Sequence, residues 1–378
     1  MRVAVVGAGP AGSLLSYHLA KGGASVTVFD ASHPREKPCG GGVTGKALAL
    51  LPPPPVSDPL PARWVSSCTF DSGEGDRVDV TLDRPVAVCA RRDLDAWLLR
   101  QAVAAGASHV AERVTSVDAS GRVATSAGWA ASFDLIVGAD GAGSLVRRTF
   151  LTATPPDRLC MATGWYARGT SEMQVRFTPG LPGYLWLFPR PDHVGVGICA
   201  PLRAVPSRVL LDRLAREAAR SFPALVDEEG DRYAQTIPSP SKDPASLAEI
   251  AGPRWALVGD AAALADPITG EGITYALRSA VLLAEAIRAD GSPRRYPERV
   301  LADFGRDLLK AAAIRDRFYE PGFARRMIRY SGRSPAIRQV LGDLVLGEQG
   351  YVGLKRRLLG VGPRFLLEAG LGALRLAG

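Results

Sequence analysis

The chain has 378 residues, 47% of them hydrophobic and 22% charged, with a formal net charge of +8. That composition is ordinary for a globular protein with a sizeable core, and the length is that of two or three units. No run reaches the roughly 18 uninterrupted apolar residues of a membrane-spanning helix, and five widely spaced cysteines (39, 68, 89, 160, 199) without a Cys-x-x-Cys pair or a histidine cluster argue against a disulfide framework or a zinc or other metal site.

Residues 3–6 form an apolar run long enough for one buried parallel strand. Gly7-Ala-Gly9-Pro10-Ala11-Gly12 follows at once, in the G-x-G-x-x-G spacing. Gly7 suits the tight turn out of the strand, Gly9 lets the backbone approach a pyrophosphate, and Gly12 lets the next helix pack closely on the sheet. Pro10 fits the first helical turn, where its missing N–H is no loss. The helix runs through Tyr17 and Ala20 to Gly22-Gly23, and a second apolar strand, 25–29, ends on Asp30. That acid follows Gly12 by 18 positions, near the spacing at which a carboxylate meets an adenosine ribose. The fingerprint alone leaves NAD and FAD open. A nucleotide strand at the N-terminus is not a signal peptide, so a cytoplasmic location is expected.

The loop after Asp30 holds Pro38-Cys39-Gly40-Gly41-Gly42-Val43. Three glycines in a row disfavour helix and strand interiors and suit backbone lying flat against a ligand, with Cys39 beside it; a flexible loop with an incidental thiol would read the same. A helix is expected over 45–51, ended by four prolines at 52–55. Residues 64–90 alternate like strands, with Val78, Val80 and Leu82 on one face. Arg91-Arg-Asp-Leu94-Asp95 opens a helix with apolar positions at Leu94, Trp97, Leu98 and Val103, and one strand is expected over 110–117. Residues 133–138 are an apolar strand running into Gly138-Ala139-Asp140-Gly141, again at the strand end where open α/β sheets bind ligands.

Strand texture then dominates from 160 to 250, with helical periodicity only at 206–222. In Tyr184-Leu-Trp186-Leu-Phe188-Pro189, alternation places the three rings on one face. The returning strand carries Gly195 and Gly197, which predict open space beside an aromatic wall; plain sheet core is the competing reading. Residues 255–258 are another apolar strand, ending on Gly259-Asp260. Asp266-Pro267-Ile-Thr269-Gly270-Glu271-Gly272-Ile273 then starts a long helix, whose positive end suits a developing anion. From Pro321 on, short helical pieces are broken by Gly332, 342, 347, 350, 353 and 360. Residues 321–378 hold ten Arg or Lys and three Asp or Glu, nearly the whole excess charge. No aromatic interleaving points to nucleic acid, so an anionic lipid surface or a solvated helical face is expected.

The fingerprint with Asp30, the Gly138–Gly141 turn and Gly259-Asp260, standing in this order, resemble the FAD-dependent hydroxylase superfamily (group A flavoprotein monooxygenase-like) over residues 1 to about 320. The resemblance implies that Gly7, Gly9, Ala11, Gly12 and Asp30 meet the ADP part, with Arg91 along the cofactor and Val114 near adenine. It further implies Asp140 and Gly141 at the cofactor, Asp260 at the ribityl chain, and Gly272 and Ile273 at the flavin ring. The Pro38–Val43, Tyr184–Pro189 and Asp266–Ile273 stretches are similar to the geranylgeranyl reductase family, which uses reduced FAD to saturate isoprenoid double bonds. By that resemblance Cys39 is the catalytic candidate, with Gly40 and Gly42 at the flavin and Tyr184, Trp186 and Phe188 lining a substrate cavity. An isoprenoid lipid substrate, peripheral membrane attachment on the inner face, and an external donor (NAD(P)H, ferredoxin or flavodoxin, whether or not through a partner protein) are implied.

The implied fold class is α/β + β: a discontinuous Rossmann-like FAD-binding domain (1–63, 91–155, 251–320), an antiparallel-sheet substrate domain (64–90, 156–250) and a helical basic C-terminal segment (321–378). A flavin monooxygenase or halogenase is the alternative, although Tyr-x-Trp-x-Phe-Pro departs from the halogenase Trp-x-Trp-x-Ile-Pro. An electron-carrying flavoprotein without catalysis is a further competitor.

Overall fold

Five short apolar strands make a wholly parallel sheet in the order Trp255–Leu257, Leu135–Gly138, Arg2–Val6, Ser25–Phe29, Ser108–Val110. This is a computed structural model, and it describes residues 1–55, 57–226 and 231–361. Val3, Ala4 and Val5 in the central strand are fully buried, the burial expected of a parallel strand covered on both faces. Helices Pro10–Lys21, Arg91–Ala104 and Ile273–Asp290 pack side by side. Gly7 takes φ +101°, and a Cβ on Gly12 would run into the Gly7 carbonyl, so strand, turn and helix approach as closely as the fingerprint demands.

An eight-stranded sheet runs Arg232–Pro238, Leu159–Ala167, Val194–Pro201, Tyr184–Pro189, Gln174–Phe177, Arg63–Asp71, Arg77–Val88, Gly42–Val43. All its pairings are antiparallel except Gln174–Phe177 with Arg63–Asp71. The glycine loop after Cys39, expected with the nucleotide-binding segments, thus supplies an edge strand of this sheet. On one face Leu185, Leu187, Val194, Val196 and Ile198 bury against Leu210, Leu214 and Ala218 of helix Ser207–Ser221. The rings of Tyr184, Trp186 and Phe188 face the other way. The architecture is the expected mixed α/β fold, with a Rossmann-like parallel sheet beside a largely antiparallel one.

Some local expectations change. The single strand expected over 110–117 is two strands in two sheets: Ser108–Val110 ends the parallel sheet, and Val114–Val117 opens a three-stranded sheet with Arg122–Thr125 and Ala130–Ser132. Val103 is exposed, not part of the buried helix face. Gly332, Gly342 and Gly360 lie inside helices Phe323–Arg333, Pro335–Val345 and Leu354–Val361 rather than breaking them. Gly342 permits close packing, since a Cβ there would stand 3.0 Å from Val80. Ile328 and Leu341 of the first two helices share one core with Val78, Val80 and Leu82, so they form a covering layer of the sheet. The remainder of the basic segment, 362–378, lies outside the described residues.

Candidate active site

A cavity of about 1430 Å³ runs along the carboxyl ends of the parallel strands and on beneath the aromatic face of the larger sheet. Gly7, Gly9, Ala11, Asp30, Arg91, Val114, Asp140, Gly141, Asp260, Gly272 and Ile273 all line it, as do Cys39, Gly40, Gly42, Tyr184, Trp186 and Phe188. Gly12 does not; it stands behind the loop, against Gly7. These residues come from several separate stretches of chain, and the strand ends bring most of them together.

At the nucleotide end, Asp30 Oδ2 accepts the Ala8 N–H at 2.9 Å and Oδ1 accepts the Ser32 N–H at 2.8 Å. Burial pushes its pKa up, but the Ser32 and Ala8 hydrogen bonds outweigh that and leave it below the ordinary value. Arg91 is buried and grips Asp95 through two hydrogen bonds of 2.7 Å. Both side chains lie 3.9–4.0 Å from where a Gly9 Cβ would stand. Cβ positions at Gly141 and Gly143 meet nothing within 4 Å, so the backbone there is bare toward the cavity. Bare glycine backbone, a helix N-terminus at Pro10, a buried arginine and a ribose-distance carboxylate make a cradle that fits the diphosphate and ribose of FAD.

Asp140 differs from expectation in what its carboxylate does. It accepts from Ser144 Oγ at 2.5 Å and from the Leu145 N–H at 2.6 Å, tying down the start of helix Leu145–Phe150. Burial raises its pKa against the pull of those bonds. Asp260 carries an ion pair the sequence did not signal, with Lys37 Nζ 2.6 Å from Oδ2.

The three glycines after Cys39 do lie flat, but against protein. A Cβ on Gly40 would stand 2.7 Å from the Phe188 ring, and one on Gly42 would stand 3.2 Å from it. Gly197 likewise gives its space to the Trp186 indole, while Gly195 lies beside the Arg190 guanidinium, so neither glycine of the returning strand leaves the expected void. Tyr184 donates to the Thr269 carbonyl. The wall therefore has fixed rings, continued by Phe177, the cross-strand partner of Tyr184, and Phe318, Tyr319, Met327 and Leu341 also line the cavity. Met327 and Leu341 come from the segment 321–378, which was expected to be a charged surface.

Local motifs also missed the device that holds Cys39. Arg190 follows the aromatic strand, and its side chain is fully buried. Nη2 donates to the Cys39 carbonyl at 2.7 Å, Nη1 donates to Glu36 at 2.7 Å, and the guanidinium lies 4.7 Å over the Tyr166 ring. Glu36 also accepts the Arg91 and Arg92 N–H groups at the start of helix Arg91–Ala104. Burial opposes its ionisation, yet Arg190 and the Arg92 amide hold its pKa below the usual value. The thiol loop, the aromatic strand and the Arg91 helix thus meet at one buried ion pair. The Cys39 sulfur accepts the Gly41 N–H at 3.3 Å. The available sequence signal was charge flanking both motifs, in Glu36-Lys37-Pro38-Cys39 and Phe188-Pro189-Arg190.

Among the described residues no group of three or more His, Cys, Asp or Glu side chains could hold a metal ion, and no helix is long and apolar enough to cross a membrane.

An FAD binding domain family matches residues 1–292. The chain is 31% identical over 317 residues to a menaquinone reductase of Mycolicibacterium smegmatis, covering 76% of each chain. It is 28% identical over 327 residues to a geranylgeranyl diphosphate reductase of Synechocystis, covering 76% of this chain and 75% of that one. Among solved structures, a geranylgeranyl bacteriochlorophyll reductase-like protein of Thermoplasma acidophilum superposes with a TM-score of 0.74 at 20% identity, over 96% of this chain and 99% of that one. The cradle, the thiol loop and these similarities agree: the chain belongs to the FAD-binding domain family and is an FAD-dependent oxidoreductase of the geranylgeranyl reductase-like kind.

Proposed function

We propose that the enzyme saturates isolated C=C bonds of a polyprenyl chain, of the geranylgeranyl type or on a menaquinone. The observation that carries this reading is the continuity of the cavity: the cofactor cradle opens directly onto an apolar slot walled by Tyr184, Trp186, Phe188, Phe177, Met327 and Leu341. Each CH₂ of a chain buried there contributes about 0.8 kcal/mol. When bound, reduced FAD supplies hydride.

The chain's own residues do the rest. The fingerprint loop, Asp30, Arg91, Val114 and the Asp140–Gly141 turn bind the nucleotide portion. Asp260 holds the ribityl chain, exchanging its contact with Lys37, and the helix start at Gly272–Ile273 stabilises negative charge on the ring. The rings position the alkene and exclude water, and Cys39, with Gly40 and Gly42 beside it, assists protonation or positions the double bond. An isolated alkene has no carbonyl to polarise, so geometry supplies much of the rate. The nucleotide-binding segments and the larger sheet act as the two domains, with Met327, Leu341 and residues 347–351 closing the slot. An external donor, NAD(P)H, ferredoxin or flavodoxin, reduces the cofactor, and the basic segment holds the protein at a lipid surface.

The deciding experiment is anaerobic: dithionite-reduced protein is mixed with a polyprenyl quinone or diphosphate, and products are weighed by mass spectrometry. A gain of two hydrogens per reduced bond is expected. Oxygen uptake coupled to an oxygenated or halogenated product, with no saturated chain, would replace this reading by the monooxygenase one.

A further inference from the structure

Saturating an alkene requires a proton as well as a hydride, and, besides the thiol, one of the carboxylic acids that line the cavity is placed to supply it. Glu271 lies two residues before the start of helix Ile273–Asp290 and lines the cavity. Its neighbours in the chain fix where it sits. A Cβ on Gly270 would stand 3.4 Å from the Tyr184 hydroxyl of the aromatic wall, and one on Gly272 would stand 3.5 Å from Asp260 Oδ1. Glu271 is thus placed between the apolar slot and the carboxylate proposed to hold the cofactor. Oε1 accepts the Thr274 N–H at 2.7 Å, which fixes the carboxyl against the helix start.

No Lys, Arg or His stands within ion-pairing distance of it among the described residues. The titratable groups facing it are Asp266 from the preceding loop and Tyr275 from its own helix; Asp307 and Tyr351 stand behind these. Asp266 is itself buried and accepts from the Ile268 and Thr269 N–H groups and the Tyr351 hydroxyl. A carboxyl with an acidic neighbour and no cation favours its neutral form. Burial, first, and then Asp266 raise the Glu271 pKa to about 7, against the Thr274 hydrogen bonds. An acid poised near the working pH is the form a general acid needs.

We propose that Glu271 is a catalytic residue, the general acid that delivers the proton to the alkene. This rests on the reductase reading above. The C=C π bond opens, one carbon forms a C–H bond with hydride from the reduced flavin, and the other forms a C–H bond with the Glu271 proton. Both electrons come from the flavin, and the carboxylate left behind regains its proton from water. Cys39 then positions the double bond rather than protonating it.

The test uses Glu271→Gln, which keeps the shape and an oxygen for the Thr274 N–H but has no acidic proton. Infrared titration of the cofactor-free protein should show a neutral-carboxyl band disappearing near pH 7 in the wild type and missing from the variant. FAD affinity should stay within about twofold. Anaerobic reoxidation of the reduced enzyme by polyprenyl substrate should fall about a hundredfold or more, within the range of general-acid catalysis, and lose the wild-type decline above pH 7. Glu271→Asp, which keeps a proton on a shorter arm, should fall between them. Wild-type alkene saturation with Glu271→Gln equally fast, or an unchanged infrared titration in that variant, overturns the proposal alone. A wild type that saturates no alkene overturns the reductase reading and this proposal with it, while the infrared titration still reports the state of Glu271.

Discussion

Arg91 serves the fold and the cavity together. Its guanidinium and the Asp95 carboxylate are both out of water and satisfy each other through two 2.7 Å bonds. Removing one partner strands the other charge in the interior, which costs about 3–5 kcal/mol, whereas replacing both by apolar groups of similar volume is often neutral. Arg91→Met should therefore lower unfolding stability in urea by that amount, and Arg91→Met with Asp95→Leu should regain most of it. FAD affinity should be weakened in both, because the buried one of the two cations facing Gly9 is gone from both and only Arg35 remains. Recovered stability with recovered FAD affinity would remove Arg91 from the cofactor site. Cys39 makes the opposite prediction. Half-buried and held through its backbone by Arg190, it can lose its sulfur without loss of the fold. Cys39→Ser and Cys39→Ala should bind flavin as the wild type does and fail to saturate the alkene; full activity in both would dismiss the thiol from the chemistry.

The loop 39–42 and the strand Tyr184–Pro189 function as one element, since the glycines exist to admit the Phe188 ring. Gly40→Ala puts a methyl group 2.7 Å from that ring, and overpacking of this kind costs about 1–3 kcal/mol. The variant should melt earlier and turn over more slowly. Phe188→Leu in the same chain should relieve part of the loss, which a double-mutant cycle would show as a coupling of the same order. This pairing also marks the limit of what sequence reveals. The parallel strands, the fingerprint turn and the inward-facing rings were legible because each is a local pattern: an apolar run, a glycine spacing, a period of two. That Gly40 meets Phe188, that Glu36 meets Arg190, and that Asp260 meets Lys37 were not, because each joins residues about 150 or more positions apart and leaves no periodic trace. Gly342 was misread for the same reason, being a breaker by propensity but a close-packing site by tertiary contact with Val80.

Charge invites the same error across the protein as a whole. The sequence shows a basic C-terminal segment, but not that Arg325 and Arg329 reach Asp76 at 2.9 and 3.0 Å, or that Arg357 pairs with Asp343. Those cations are already partnered, and the helix bearing Arg325 and Arg329 lines the slot through Met327. Truncation at Pro321 would strip Ile328 and Leu341 from the core, so lost vesicle binding by that variant would report unfolding. Arg333, Lys355 and Arg356 are exposed and form no ion pair among the described residues. Lys355 follows the cavity-lining Gly350 by five positions, and the exposed Val352 and Leu359 flank the charges, a mixture of cation and apolar surface that suits the headgroup region of a bilayer. At about 1 kcal/mol per basic residue near an anionic surface, Arg333→Gln, Lys355→Gln and Arg356→Gln together should weaken sedimentation with anionic vesicles roughly a hundredfold at low salt. Binding to zwitterionic vesicles should not change, and salt should erase the difference as the Debye length shrinks. Turnover of substrate embedded in anionic vesicles should fall while turnover of detergent-solubilised substrate is kept. Equal sedimentation of the triple variant and the wild type would make these three residues an ordinary solvated face, and the lipid would then have to reach the slot without help from charge.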